Sequence, residues 1–134
     1  MSSIVYLVDT NIISELARPN PNAGVVAWAQ TTSSVGLSVV TVEEIFFCLH
    51  WKPIQHIHNW FESFLDAHCK IYPITDEITR CSGRLRGALA ANGRAHTQTD
   101  MLIAATAQVE RQTLVTRNVR DFEGCGIPVY DPFA

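Results

Sequence analysis

The chain has 134 residues, 47% of them hydrophobic and 17% charged, with a formal charge of −3. That length predicts one domain, 1–134, and folding should bury about two-thirds of the unfolded surface, enough for a core without disulfides or a structural metal. The charge excludes a protein that coats nucleic acid through a broad excess of Lys and Arg. The longest strictly apolar runs, such as Ile4 to Val8 and Val25 to Ala29, fall far short of the roughly 20 residues of a membrane span.

In chain order, the β-branched runs Ile4–Val8, Val35–Val40, Lys70–Ile74, Thr113–Thr116 and Ile127–Tyr130 predict short strands. Between them, helical periodicity runs through Asn11–Ala17, Ala23–Gln30, Val42–His50, Ile54–Ala67, Asp76–Ala91 and Gln98–Arg111. Thr41 with Glu44 has the form of a capping box. Thr75 precedes the acidic first turn of Asp76 and Glu77, and Asn92-Gly93 stops that helix. Strand and helix alternate, which predicts an α/β fold: a three-layer α/β/α sandwich with a mostly parallel, roughly five-stranded sheet. No positive region precedes the first apolar run, so no cleaved signal peptide is expected and the expected location is cytoplasmic. Cys48, Cys69, Cys81 and Cys125 form no CxxC pair and read as reduced, buried or half-buried thiols.

Ligands of such sheets gather beyond the C-terminal ends of the strands. Asp9 ends the first predicted strand, Glu44 lies in the first helical turn after the second, and Asp121 follows the fourth. Asp100 begins the helix whose apolar face carries Met101, Leu102, Ala105 and Val109; if that helix starts at the same edge, the four acids converge. Each acid alone has a structural explanation as a cap, a turn residue or a partner of a helix dipole. Together they conflict: two carboxylates about 4 Å apart repel by about 4 kcal/mol at an effective dielectric near 20. Divalent cations relieve that repulsion. An all-oxygen donor set suits Mg²⁺ or Mn²⁺ better than Zn²⁺, and such ions activate water and polarise phosphodiesters.

The segments Val8-Asp9-Thr10-Asn11-Ile12-Ile13-Ser14-Glu15-Leu16, Thr41-Val42-Glu43-Glu44-Ile45, Asp100-Met101-Leu102-Ile103-Ala104-Ala105-Thr106-Ala107 and Thr116-Arg117-Asn118-Val119-Arg120-Asp121-Phe122 resemble the four motifs of the PIN domain family. Within it, they are similar to the VapC and FitB-like toxins of toxin–antitoxin modules. The resemblance runs in order along nearly the whole chain. It implies a metal-dependent endoribonuclease with Asp9, Glu44, Asp100 and Asp121 as ligands and water-activating groups. The motif places its second acid just before Ile45, which selects Glu44 over Glu43. Thr10, Thr116 and Asn118 also match motif positions and are expected to hold the carboxylates or the attacking water. Gly93-Arg94 matches a turn common before the third acid. Cys48 and Met101 depart from the residues usual at their positions without removing a ligand. The resemblance further implies an RNA substrate, a cognate antitoxin through which operator DNA is bound, and a homodimer.

Arg94, Arg117 and Arg120 flank the acids and are candidates for RNA phosphate contact, whereas Arg80, Arg84 and Arg86 read as a solvated helix face. Trp28, Trp51 and Trp60 read as core or subunit contacts. His56 and His58 point to different helix faces, which disfavours a shared metal, and His96 reads as a loop residue. Two alternatives remain: a non-catalytic module that binds RNA or a partner, and a phosphatase of the haloacid dehalogenase type. The latter needs a second Asp two residues after Asp9, where this chain has Asn11.

Overall fold

A computed structural model describes residues 4–134. Its elements are β1 (Tyr6–Val8), α1 (Thr10–Leu16), α2 (Ala23–Gln30), β2 (Val35–Ser38), α3 (Val39–Trp51), α4 (Gln55–His68), β3 (Cys69–Tyr72), α5 (Asp76–Ala91), α6 (Gln98–Val109), β4 (Thr113–Val115), a 3-10 turn (Val119–Phe122) and β5 (Val129–Tyr130). Polar residues start most of these helices. Asp9, Asn22, Ser38, Thr75 and Thr97 each accept a hydrogen bond from an amide of the first turn of α1, α2, α3, α5 and α6. Gly93, at φ +78°, closes α5, and the Arg94 amide reaches back to the Leu89 carbonyl at 2.8 Å.

The strands form one parallel sheet in the order β3-β2-β1-β4-β5, with Leu7 opposite Gly36 and Leu114. Successive side chains face opposite layers. Val8, Val35, Leu37 and Val115 meet Ile12, Val25, Ile45, Leu49 and Phe61 of α1 to α4, while Leu7 and Leu114 meet Leu89, Met101, Ile103 and Ala107 of α5 and α6. The predicted sandwich is therefore present. Burying each of Leu7, Leu37 and Leu114 completely contributes roughly 1.5–3 kcal/mol. Gly36 is required by packing, because a Cβ there would lie 2.6 Å from the Tyr72 ring. From β1 the chain winds first to β2 and β3 and then crosses back to β4. The order thus reverses beside β1, and the crevice beyond the ends of β1 and β4 is the switch point of the sheet.

Several boundaries differ from the sequence expectations. The second strand ends at Ser38, not Val40, and α3 begins at Val39. The cap is Ser38, whose Oγ accepts the Val40 amide at 3.2 Å, and Thr41 lies fully buried inside the helix without forming the expected capping box. Glu44 consequently sits in the second turn. The run Val39-Val40-Thr41-Val42 has strand propensity, but the helix buries Thr41 and packs Val40 and Val42 against the two cores, and tertiary packing overrides propensity. The third strand begins one residue earlier and ends at Tyr72, and α6 stops at Val109. Cys48 is exposed, and Trp51 is 67% exposed and belongs to no core of this chain. No helix among the described residues is long and apolar enough to cross a membrane.

Candidate active site

Asp9 leaves β1 at the switch point. Its amide still pairs with the Val115 carbonyl at 3.0 Å, so the sheet itself fixes its backbone, and the residue is only 7% exposed. Oδ1 accepts the Thr10 amide at 2.8 Å, and Oδ2 accepts the Thr116 hydroxyl at 2.9 Å. Thr10 opens α1 and donates its own hydroxyl to Glu44 Oε1 at 2.9 Å. One residue therefore joins two acids, through its main chain on one side and its side chain on the other. Glu44 is half-buried, whereas Glu43 is exposed. Asp100 lies in the first turn of α6, half-buried, with its amide on the Thr97 hydroxyl at 3.1 Å. Asp121 is exposed on the 3-10 turn.

Electrostatics ties the four together. Burial raises the Glu44 carboxyl above the usual carboxylate range; the Thr10 hydrogen bond opposes this, and the charges of Asp9, Asp100 and Glu43 add to it. Burial also raises Asp100, reinforced by Asp9 and Asp121 and opposed by Thr97 and His96. Among the described residues, no three His, Cys, Asp or Glu side chains stand close enough to hold one ion as they are. The donor set nevertheless fits a hard cation: it is all oxygen, and Asp9 and Glu44 have their orientation fixed by hydroxyl and amide donors.

Asn11 is the polar residue of this edge that sequence reasoning left without a role. Its Nδ2 donates to Asp9 Oδ2 at 3.2 Å and to Thr116 Oγ1 at 3.1 Å, and its Oδ1 accepts the Arg117 amide at 3.0 Å. Its place beside Asp9 and Thr10 was the available signal. Asn118 meets the site through its main chain, donating its amide to Thr116 Oγ1 at 3.1 Å.

The arginines divide. Arg94 lies 3.7 Å from Glu123, and its guanidinium is against Gly124. The Arg117 guanidinium lies 4.5 Å over the Phe133 ring, and Arg120 is exposed. Arg80 pairs with Asp76 along α5 at 2.8 Å, and Arg84 and Arg86 are exposed, in keeping with a solvated face. His96 Nδ1 is 3.2 Å from the Arg94 carbonyl oxygen. Beside the acids, an apolar cavity of about 400 Å³ begins at Thr10 and runs past Ile13, Trp51 and Ile54. A second, of about 380 Å³, shares Ile13 and Trp60 with it.

Toxin FitB of Neisseria gonorrhoeae is 32% identical to this chain, covering 96% of it and 99% of FitB. The crystal structure of FitAcB from that organism superposes with a TM-score of 0.83 at 29% identity, covering 96% of this chain and 98% of that one. VapC ribonuclease Y4jK of Sinorhizobium fredii is 29% identical over 96% of this chain and 98% of its own length. A toxin–antitoxin complex from Klebsiella pneumoniae has a chain with a TM-score of 0.77 at 26% identity, covering 96% of this chain and 98% of that one. The PIN domain family matches residues 6–124, from the first residue of β1 past the turn that carries Asp121, and the chain belongs to that family.

Proposed function

We propose that this chain is a metal-dependent endoribonuclease acting as the toxin of a toxin–antitoxin pair. The observation that carries the proposal is the pairing of Asp9 and Glu44 through Thr10, with Asp100 and Asp121 within electrostatic reach on the same edge. A PIN domain and relatives named as a toxin and a ribonuclease support it.

Asp9, Glu44, Asp100 and Asp121 would hold Mg²⁺ or Mn²⁺, which when bound lowers the pKa of water and stabilises charge on a phosphodiester. Thr116 keeps Asp9 Oδ2 oriented, and Thr10 spends its proton on Glu44 Oε1, leaving Oε2 to accept a proton from the attacking water. Arg117, exposed just after β4, and Arg120, exposed on the 3-10 turn beside Asp121, would contact RNA phosphates, whereas Arg94 is partly neutralised by Glu123.

The partner is a cognate antitoxin, and DNA is bound through it, because this acidic chain carries no DNA-reading motif of its own. The apolar cavity that begins at Thr10 suits a partner segment whose polar end continues to the acids. A cytoplasmic homodimer, folded as one domain over residues 1–134, completes the proposal.

Purified wild-type protein should cut single-stranded RNA with Mn²⁺ or Mg²⁺ and not with EDTA, and Asp9→Asn should fall below detection. Unchanged cleavage by a folded Asp9→Asn protein overturns the site assignment. Sequencing RNA 5′ ends after induction, with the same variant as control, identifies the target.

A further inference from the structure

We infer that Asn11 is a positioning residue of the active site: it sets the orientation of Asp9 and Thr116 together and locks the Arg117 turn against them. The inference rests on the proposed nuclease function and names a residue that this function has not yet used.

Three hydrogen bonds carry it. The two protons of an Asn amide and its one carbonyl oxygen are a limited resource, and here each faces the site. Nδ2 reaches Asp9 Oδ2 at 3.2 Å and Thr116 Oγ1 at 3.1 Å, while Oδ1 takes the Arg117 amide at 3.0 Å. Asp9 Oδ2 thus has two donors, Asn11 and the Thr116 hydroxyl, and these donors contact each other. The three groups form a closed triangle on one carboxylate oxygen. The opposite oxygen, Oδ1, accepts the Thr10 amide, so the first two residues of α1 serve both oxygens of Asp9.

The triangle spans two strands. Asp9 follows β1 and Thr116 follows β4, so Asn11 ties the ends of the two strands on either side of the switch point. Through Oδ1 it also holds the first residue of the loop that leads to Asp121. The Arg117 side chain continues outward over Phe133 at 4.5 Å, and Phe133 packs against the core on the α1-to-α4 side. One side chain therefore relates the first acid, the hydroxyl that supports it and the turn before the fourth acid. An Asn does this where an Asp would not, because a second carboxylate facing Asp9 Oδ2 would repel it and offer no proton.

A residue that only stabilised the fold would lower Tm and leave metal affinity intact in the folded fraction. A positioning residue changes the affinity itself, and losing such a support typically costs 10–100-fold. The test measures Mn²⁺ binding by calorimetry in wild type, Asn11→Ala, Thr116→Val and the double variant, with Tm recorded for each. We expect Asn11→Ala to weaken Mn²⁺ binding about tenfold or more. Because both residues act on one oxygen, the double variant should be far less than additive. The Arg117 amide should also lose protection from hydrogen exchange in Asn11→Ala. Asn11→Ser, too short to reach all three partners, should behave alike and serves if Asn11→Ala folds poorly.

Wild-type Mn²⁺ affinity in a folded Asn11→Ala or Asn11→Ser protein overturns the inference, and so do strictly additive effects of Asn11 and Thr116. Wild-type protein that neither binds Mn²⁺ in the millimolar range nor cuts RNA overturns the nuclease proposal itself and this inference with it. Wild-type protein that does both, with Asn11→Ala unchanged, overturns the inference alone.

Discussion

Burying Glu44 and Asp100 within reach of Asp9 raises both carboxyls, and the sign of that shift fixes its effect on stability. A carboxyl whose folded pKa lies above its unfolded value opposes folding when ionised, and the cost is relieved as pH falls through the folded value. At pH 7 without divalent cations, Glu44→Gln and Asp100→Asn should therefore each raise Tm by a few degrees, and with Mn²⁺ or Mg²⁺ present each should abolish cleavage. The gain should shrink as pH falls toward the carboxylate range and should vanish with saturating Mg²⁺. A lower Tm for both variants in EDTA would show that these acids do not oppose folding. The four candidate acids stood out in the sequence because Asp9, Asp100 and Asp121 lie at or near the ends of predicted elements and Glu44 lies in a recognisable segment, although the structure moves it to the second turn of α3. Asn11 stood out less, because Asp9 is its near neighbour in sequence but Thr116 and Arg117 follow β4, and only the pairing of β1 with β4 brings those two to it.

At the scale of elements, the sequence located each helix and strand but misplaced the start of α3, where four β-branched residues concealed a helix that Ser38 begins. It also gave no hint that Glu15 is buried, since a Glu at the end of a short amphipathic helix reads as solvated. The fold instead aims its Oε2 at the Asn22 amide, 2.8 Å away, and its Oε1 at Arg18, 3.0 Å away, joining the end of α1 to the start of α2. The Asn22 amide, followed by Arg18, holds this carboxyl below the usual range against the opposing effect of burial. The lowered pKa means its stabilisation is present above the unfolded value and is lost as pH falls through the folded one. Glu15→Gln should thus lower Tm at pH 7, and the difference from wild type should close at pH values below the ordinary Glu range. A constant difference down to strongly acidic pH would assign the effect to packing. The other end of this scale is Arg111, a non-glycine residue at φ +57° between α6 and β4. A left-handed backbone costs an L-residue roughly 1–2 kcal/mol, so Arg111→Gly should stabilise by up to about 1 kcal/mol after the extra entropy of unfolded glycine. Chemical denaturation checks the sign.

Across the whole molecule, the layer order was legible because alternation of strand and helix admits few arrangements, whereas the docking of the last residues was not, because it depends on one glycine far away in sequence. Asn22 accepts the Ala134 amide at 3.0 Å and donates to the Ala134 carbonyl at 3.2 Å, while Pro132 is buried. Next to Asn22, Gly24 lets this tail lie against α2: a Cβ there would collide with the Pro132 carbonyl oxygen and come within 2.8 Å of the Ala134 nitrogen. Both are backbone atoms, so relief requires the tail to lift, and with it Phe133 from beneath Arg117. Gly24→Ala should therefore destabilise by roughly 1–3 kcal/mol, as overpacking does, and speed hydrogen exchange at the Ala134 amide, which Asn22 holds. The decisive comparison removes residues 132–134. Without the tail there is no collision, and Ala in place of Gly in α2 should then stabilise by roughly 0.5–1 kcal/mol through helix propensity. A change of sign between the full and truncated chains identifies the tail as the cause. The same sign in both would mean that the tail does not rest on Gly24, and Phe133 would then be held beneath Arg117 by its packing against the core alone.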